Sequence, residues 1–461
     1  MRLLLYASLA VLVSLAGSQG PQPVDLIVYN AIVVTMDPAG RVLPRGAVAI
    51  TGREITAVEP AEAIASRYTA KETFDAGGQI ILPGLVNTHT HAPMVLYRGL
   101  ADDLALMEWL EKYMFPAEAK TVSPEFVRAG TRLAALEMIQ SGTTTYTDMY
   151  YFEEEIARVT KAAGLRGVLG QTIIQFPVAD AKTPADALTR SEVFLKEFAN
   201  DELIVPALAP HSMYTLDRAT LKAVRAMGDK HSAPVLIHLS ETAAESKTAM
   251  TRHKTSPTRY LESIGFWGPR SLAAHGVWLS APDIQILARR KVAVSHNPES
   301  NMKLASGVAK VPALQRAGVT VGLRTDGAAS NNDLDMFEAM RQAAFLHKLT
   351  TSDPRTLPAK TALAMATIDG ARALGMDRQI GSLEAGKRAD LILVSVAGAR
   401  QTPMYDPLSH LVYVARGDDV TTTIVNGKIL MRDRKVLTLN EADVLKEANA
   451  HAAKVREAVG K

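Results

Sequence analysis

Two histidines one residue apart, His89 and His91, close the stretch Leu82-Pro83-Gly84-Leu85-Val86-Asn87-Thr88-His89-Thr90-His91. Successive side chains of a strand point to opposite faces, so an extended segment here puts both imidazoles on one face, able to grip a single metal ion. Alone the pair is weak evidence, since two of 11 histidines can fall this close by chance and serve as packing or surface residues. Three later segments add weight to it. Pro234-Val235-Leu236-Ile237-His238-Leu239-Ser240-Glu241 offers a third imidazole with a carboxylate just beyond it, Leu272-Ala273-Ala274-His275 a fourth, and Val321-Gly322-Leu323-Arg324-Thr325-Asp326 an acid. Three imidazoles and one carboxylate suit a divalent transition metal with a position left for water. Such an ion lowers the pKa of water toward about 7, so hydroxide is available at neutral pH. Glu241 is then placed to move a proton from that water to a substrate, with His275 and Asp326 steering the attack. The plain alternative is that His238 and His275 are satisfied core histidines and Asp326 a helix N-cap.

The elements that must carry these residues decide between the two. After an apolar lead-in, extended runs end at His91, Met149, Gln171-Thr172, Pro210-His211, Leu239, His275, Ser295-His296 and Thr325-Asp326, with helical stretches between most of them. One helix is explicit: Ser123-Pro124 is an N-cap and first helical position, Phe126, Ala129, Leu133, Leu136 and Ile139 recur at helical spacing, and Gly142 stops it. Eight strands alternating with helices are the pattern of a (β/α)8 barrel, whose chemistry sits at the C-terminal ends of the strands. The candidate residues fall at those ends, a preference that core histidines have no reason to show.

Before and after the barrel the texture is β-rich. Val24 to Val34 and Ala47 to Val58 read as strands punctuated by Gly40, Gly46 and Gly52, and Ala389 to Val394 and Thr422 to Lys428 have the same character. Two such ends can pair into one minor domain. The 461 residues, 47% hydrophobic and 21% charged, are enough for one large domain and a smaller one. A net charge of +3 with scattered Lys and Arg leaves no basic stripe to track a phosphate backbone, so nucleic acid is not an expected partner. With no cysteine in the chain, a metal must be held by His and carboxylates, which suits zinc, iron, manganese or nickel. The cysteine-dependent nucleic-acid deaminases are excluded on the same ground.

Arg2, the apolar run Leu3 to Leu15 and the small and polar Ala16-Gly17-Ser18-Gln19-Gly20 have the layout of a secretory signal peptide. The run is shorter than the roughly 20 residues of a spanning helix. The expectation is export to the periplasm or beyond, cleavage between Ala16 and Gly20, and no stable membrane insertion afterwards.

Four motifs carry a family resemblance: Asn87-Thr88-His89-Thr90-His91-Ala92-Pro93-Met94, His238-Leu239-Ser240-Glu241-Thr242, the run from Ser295-His296-Asn297-Pro298 through Ala305-Ser306-Gly307, and Thr325-Asp326-Gly327-Ala328-Ala329-Ser330-Asn331-Asn332. Together they closely resemble the amidohydrolase superfamily, within it the 5-methylthioadenosine/S-adenosylhomocysteine deaminases and related chlorohydrolases, over about Val24 to Leu437. The resemblance implies a TIM-like barrel and a small β-sandwich built from both chain ends; with the leader read above, the expected division is a signal peptide at 1–20, sandwich at 21–82 and 381–437, barrel at 83–380 and a C-terminal helix at 438–461. It implies one divalent metal per chain, Zn2+ ahead of Fe2+, Mn2+ or Ni2+, with His89, His91, His238 and Asp326 as ligands and Glu241 and His275 as proton-transfer and water-orienting residues. Through the segment from Met107-Glu108-Trp109-Leu110 to Phe115-Pro116-Ala117-Glu118 it implies that Glu118 accepts hydrogen bonds from ribose hydroxyls and Trp109 walls the pocket, and that His211 contacts the purine. Relatives are commonly homo-oligomers.

The implied reaction is hydrolytic deamination of a small heterocycle, an adenine nucleoside such as 5′-methylthioadenosine or adenosine. The alternative is removal of another leaving group, from a triazine or a cyclic amide. Superfamily members with two metals bridge them by a carboxylated lysine on a middle strand; none stands near Gln171 or His211, so one metal is expected. S-adenosylhomocysteine is the less expected substrate, because Gln171 stands at one carboxylate-clamp position and Arg190 matches the other only with an offset. Arg324 departs from the glycine common in relatives. Alternation puts it on the face of Asp326, leaving three readings: a cation beneath the metal site, a partner for a buried acid, or an outward turn. His296, inside a family motif, is expected to face the site. His231, His253, His347, His410 and His451 are expected bystanders.

Overall fold

The computed structural model describes residues 20–460. The expected leader, apart from Gly20, lies outside the described residues. Eight parallel strands form one sheet in sequence order: β1 (Leu85–Thr90), β2 (Thr143–Tyr150), β3 (Arg166–Ile173), β4 (Ile204–Pro210), β5 (Val235–Leu239), β6 (Ser271–His275), β7 (Ala293–His296) and β8 (Val321–Leu323). All but β4 are buried at every position, the mark of strands covered on both faces. The ring closes just beyond β8: the Asp326 amide donates to the His89 carbonyl at 3.2 Å, and Asn87 Nδ2 donates to Thr325 Oγ1 at 2.7 Å. The eight strand positions read from sequence are the eight observed.

One end of the barrel is plugged by apolar side chains. Val86, Val168, Leu236 and Leu272 from the strands cluster there with Leu374, Met376 and Ile380. That leaves the C-terminal ends of the strands as the place where buried polar groups gather. The helix Pro124–Gln140 starts as expected, with Ser123 accepting from the Phe126 amide. It ends before Gly142, whose φ of +86° is left-handed and where a Cβ would sit 2.8 Å from the Ile392 side chain.

The two chain ends share a nine-stranded sheet. They meet where Ile80–Pro83 pairs antiparallel with Leu391–Val394, and Val28, Val48, Ile55, Ile81, Leu391 and Ile424 pack in one apolar cluster. The span read as one strand from Ala47 to Val58 is a hairpin, Val42–Thr51 and Glu54–Pro60, turning at Gly52. A helix, Glu441–Val459, closes the described chain.

A buried ion pair ties this sheet to the barrel. Arg166, opening β3, donates from Nε to Asp390 Oδ2 at 3.0 Å and from Nη2 to Oδ1 at 3.3 Å, and both side chains are 2% exposed. Removing one partner of a buried pair strands the other charge, which costs about 3–5 kcal/mol. Asp390→Ala is therefore expected to lower the unfolding free energy by that amount, read from the shift of the denaturant midpoint, while a distant surface substitution leaves it unchanged.

Candidate metal centre and active site

His89 and His91 leave the end of β1, where its pairing with β2 slips register between Asn87 and Thr90. Their Nε2 atoms lie 3.2 Å apart. His238, near the end of β5, joins them so that one ring nitrogen from each of the three lies within 4.8 Å of the others. The far sides of two rings are committed: His91 Nδ1 donates to the Met149 carbonyl at 2.7 Å and His238 Nδ1 to the His211 carbonyl at 2.9 Å. That fixes the tautomer and leaves Nε2 as a free lone pair. Burial, then neighbouring charge, holds His89 and His238 well below the usual histidine range, so both rings are neutral. Three ring nitrogens crowded together, two of them left as acceptors by their Nδ1 hydrogen bonds, fit a cation. Asp326 Oδ1 completes the group, 3.6 Å from His89 Nε2 and 3.5 Å from His91 Nε2. These four residues could hold one divalent ion, and three nitrogens with one oxygen is a donor set it accepts. Among the described residues this is the one such cluster, and β3 and β4 end without a lysine.

Beside it stand the residues expected to move protons. His275 Nε2 is 3.4 Å from Glu241 Oε2 and 3.9 Å from Asp326 Oδ2. Asn301 Oδ1 at 2.9 Å and Asn297 Nδ2 at 3.2 Å both contact His275 Nδ1, which holds the ring with its Nε2 toward the site. Burial, then the Arg324 charge, pushes His275 down to about 3. For Glu241, burial and next the negative Asp326 push the carboxyl well above its usual range. Its loop is set by Glu245, whose two oxygens accept from the Ser240 and Glu241 amides at 2.9 Å each. Ser240, His275 and Asp326 all adopt positive φ, +49°, +72° and +71°. Such strain on non-glycine residues persists where surrounding structure enforces it, and it collects at functional sites.

One cavity joins the expected residues: His91, Trp109, Glu118, His211, His238, Glu241, His275 and Asp326 all line it, and His89 lies buried among the ligand atoms below. Its apolar wall comes from the segment after β1, including Met94, Leu106, Trp109 and Phe115. A π turn, Leu110–Met114, separates the short helix bearing Trp109 from Phe115–Thr121, which carries Glu118 inward. Glu118 accepts from the Tyr150 hydroxyl at 2.7 Å, and burial pushes its carboxyl up to about 7. His211 is pushed down to about 4 by burial and is neutral.

Three readings of the sequence needed the structure. His296 does not line the cavity. Its Nε2 lies 3.1 Å from Nε2 of His347, so a residue expected at the site and an expected bystander form a buried pair. Arg190 is engaged elsewhere, 2.7 Å from Glu154 and 3.6 Å from Asp180, and Gln171 donates to the same Asp180 at 2.7 Å. Among the described residues no lysine or arginine lines the cavity, and Arg252 lines an adjoining one that shares Leu106, Tyr214 and Glu241 with it. Glu245, Asn297 and Asn301 had no assigned role. The spacing Thr242-x-x-Glu245 is a helix-start signature that pointed to Glu245, and Thr242 does accept from the Glu245 amide at 3.2 Å.

Residues 80–430 match the Amidohydrolase family. The chain belongs to that family. As an amidohydrolase it is a hydrolase acting on carbon–nitrogen bonds other than peptide bonds. It is 46% identical over 437 residues, 95% of this chain and 100% of the other, to a 5-methylthioadenosine/S-adenosylhomocysteine deaminase of Syntrophobacter fumaroxidans. To a 5′-deoxyadenosine deaminase of Methanosarcina acetivorans it is 46% identical over 430 residues, 93% of this chain and 98% of that one. The crystal structure of a Xanthomonas campestris adenosine deaminase with bound zinc superposes on this amidohydrolase with a TM-score of 0.93 at 39% identity, over 95% of this chain and 100% of that one.

Proposed function

We propose that this amidohydrolase is a metal-dependent deaminase of adenine nucleosides with a small, uncharged 5′ group: 5′-methylthioadenosine, 5′-deoxyadenosine or adenosine. The observation that carries this reading is the cavity itself. It is lined by a buried carboxylate, Glu118, together with His91 and His238 of the histidine cluster, and among the described residues its own lining holds no lysine or arginine; Arg252 lines an adjoining cavity that shares Leu106, Tyr214 and Glu241 with it. The relatives' names support an adenine nucleoside, one of them naming S-adenosylhomocysteine beside 5-methylthioadenosine. Zinc is the proposed ion, on the nitrogen-rich donor set and its presence in the Xanthomonas enzyme. When bound, the ion supplies water that ionises near neutral pH. Glu241 would take a proton from the attacking water and give one to the ring nitrogen beside the amine-bearing carbon, and His275, 3.4 Å from Glu241, would orient the attack. Ammonia leaves and a carbonyl replaces the amine. His211 abuts the purine and Trp109 walls it.

Relative kcat/KM values test this reading. 5′-Methylthioadenosine, 5′-deoxyadenosine and adenosine are expected within about an order of magnitude of each other, with S-adenosylhomocysteine at least roughly tenfold lower for want of one charge-assisted contact. A preference for S-adenosylhomocysteine overturns it. Glu118 adds a pH signature. The ribose hydroxyls need its ionised form, so KM is expected to rise as pH falls through about 7, where Glu118 takes up a proton. Glu118→Gln is expected to raise KM about 10- to 100-fold, the worth of charged hydrogen bonds, and to flatten that dependence. The export of the chain, proposed from its leader, is tested by N-terminal sequencing of the mature protein, which should begin between residues 17 and 21.

A further inference from the structure

The most unusual side chain in the barrel is Arg324. It lies one residue past β8, fully buried, and its Nε, Nη1 and Nη2 have no hydrogen-bond partner among the described residues. Its nearest counter-charge is Asp326, whose Oδ2 is 3.8 Å from Nη2. Burial pushes the guanidinium down to about 10, which leaves it a cation at neutral pH. Of the three readings open in the sequence, the outward turn is excluded and the other two coincide, because the buried acid that Arg324 faces is Asp326 itself. The same carboxylate thus faces two ways: Oδ1 toward His89 and His91, Oδ2 toward Arg324.

We propose that Arg324 limits how tightly the metal is held, acting as a fixed charge of the ion's own sign that draws on the carboxylate of the fourth ligand. The proposal rests on the four-ligand assignment and not on the nucleoside reading. Two effects act in one direction. Like charges at short range repel, and do so more strongly in a buried site than in water. A carboxylate shared with a guanidinium also gives less of its charge to the ion. Orientation of Asp326 does not depend on Arg324, because Asn297 Nδ2 donates to Oδ2 and the Gly327 amide to Oδ1, each at 3.0 Å. Removing the cation therefore leaves the ligand in place and strengthens it.

The test follows metal, not turnover. Zinc-loaded parent, Arg324→Met and Arg324→Lys are mixed with a chromogenic chelator, and the rate at which each releases zinc is followed. Arg324→Met is expected to release zinc at least roughly tenfold more slowly than the parent. Arg324→Lys, which keeps the charge, is expected to release zinc within about threefold of the parent rate. Release from Arg324→Met as fast as from the parent overturns the proposal, as does release from Arg324→Lys as slow as from Arg324→Met. A parent that retains no zinc overturns the ligand assignment, and the proposal with it.

Discussion

Replacing Glu241 by glutamine is expected to cut kcat about 10²- to 10⁴-fold, the usual worth of a general acid–base group, while leaving the metal content unchanged. The expectation follows from where the carboxylate sits. It is buried in the cavity 3.4 Å from His275 Nε2, on a loop pinned by two backbone hydrogen bonds to Glu245. It is not one of the three clustered histidines and so should not be needed to hold an ion. Burial and the Asp326 charge raise its affinity for a proton, which suits a group that accepts one from water and returns it to a ring nitrogen. Glutamine keeps the shape and cannot carry the proton. Loss of metal in this variant would instead make Glu241 a ligand, and unchanged kcat would remove it from proton transfer.

The second large effect is expected from His238→Ala, which should lose the metal and bring turnover down by at least about 10³-fold. His238 supplies the third nitrogen, from β5 rather than the β1 end that carries His89 and His91, and its Nδ1 is held by the His211 carbonyl. With it gone, two nitrogens and one carboxylate remain, one donor short of the assigned set. Metal analysis of the purified variant decides this: a full equivalent of tightly bound zinc after dialysis contradicts the ligand assignment.

Much of this site is legible in the chain because barrel topology converts position along the sequence into position in space. His89, His91, His238, His275 and Asp326 each stand at or just past the end of a strand, and ends of parallel barrel strands converge. Residues off the strands were harder. Glu118 and Trp109 reach the cavity through a π turn that no local pattern announces. Asn297 and Asn301 stood in plain view inside a motif, but their partners, Asp326 and His275, come from other strands. The pairing of His296 is not legible locally, because its partner, His347, is 51 residues away on a different element. The orientation of Arg324 was undecidable by alternation alone, since β8 ends at Leu323 and strand periodicity no longer dictates the face of the residues beyond it.

The most direct measurement is product analysis with 5′-methylthioadenosine, made on protein stripped of metal and then titrated with zinc. Ammonia and the deaminated nucleoside should appear in equal amounts, at a rate that rises with zinc and levels off at one equivalent per chain. Release of free adenine without ammonia, or full activity in the stripped protein, would contradict a metal-dependent nucleoside deaminase.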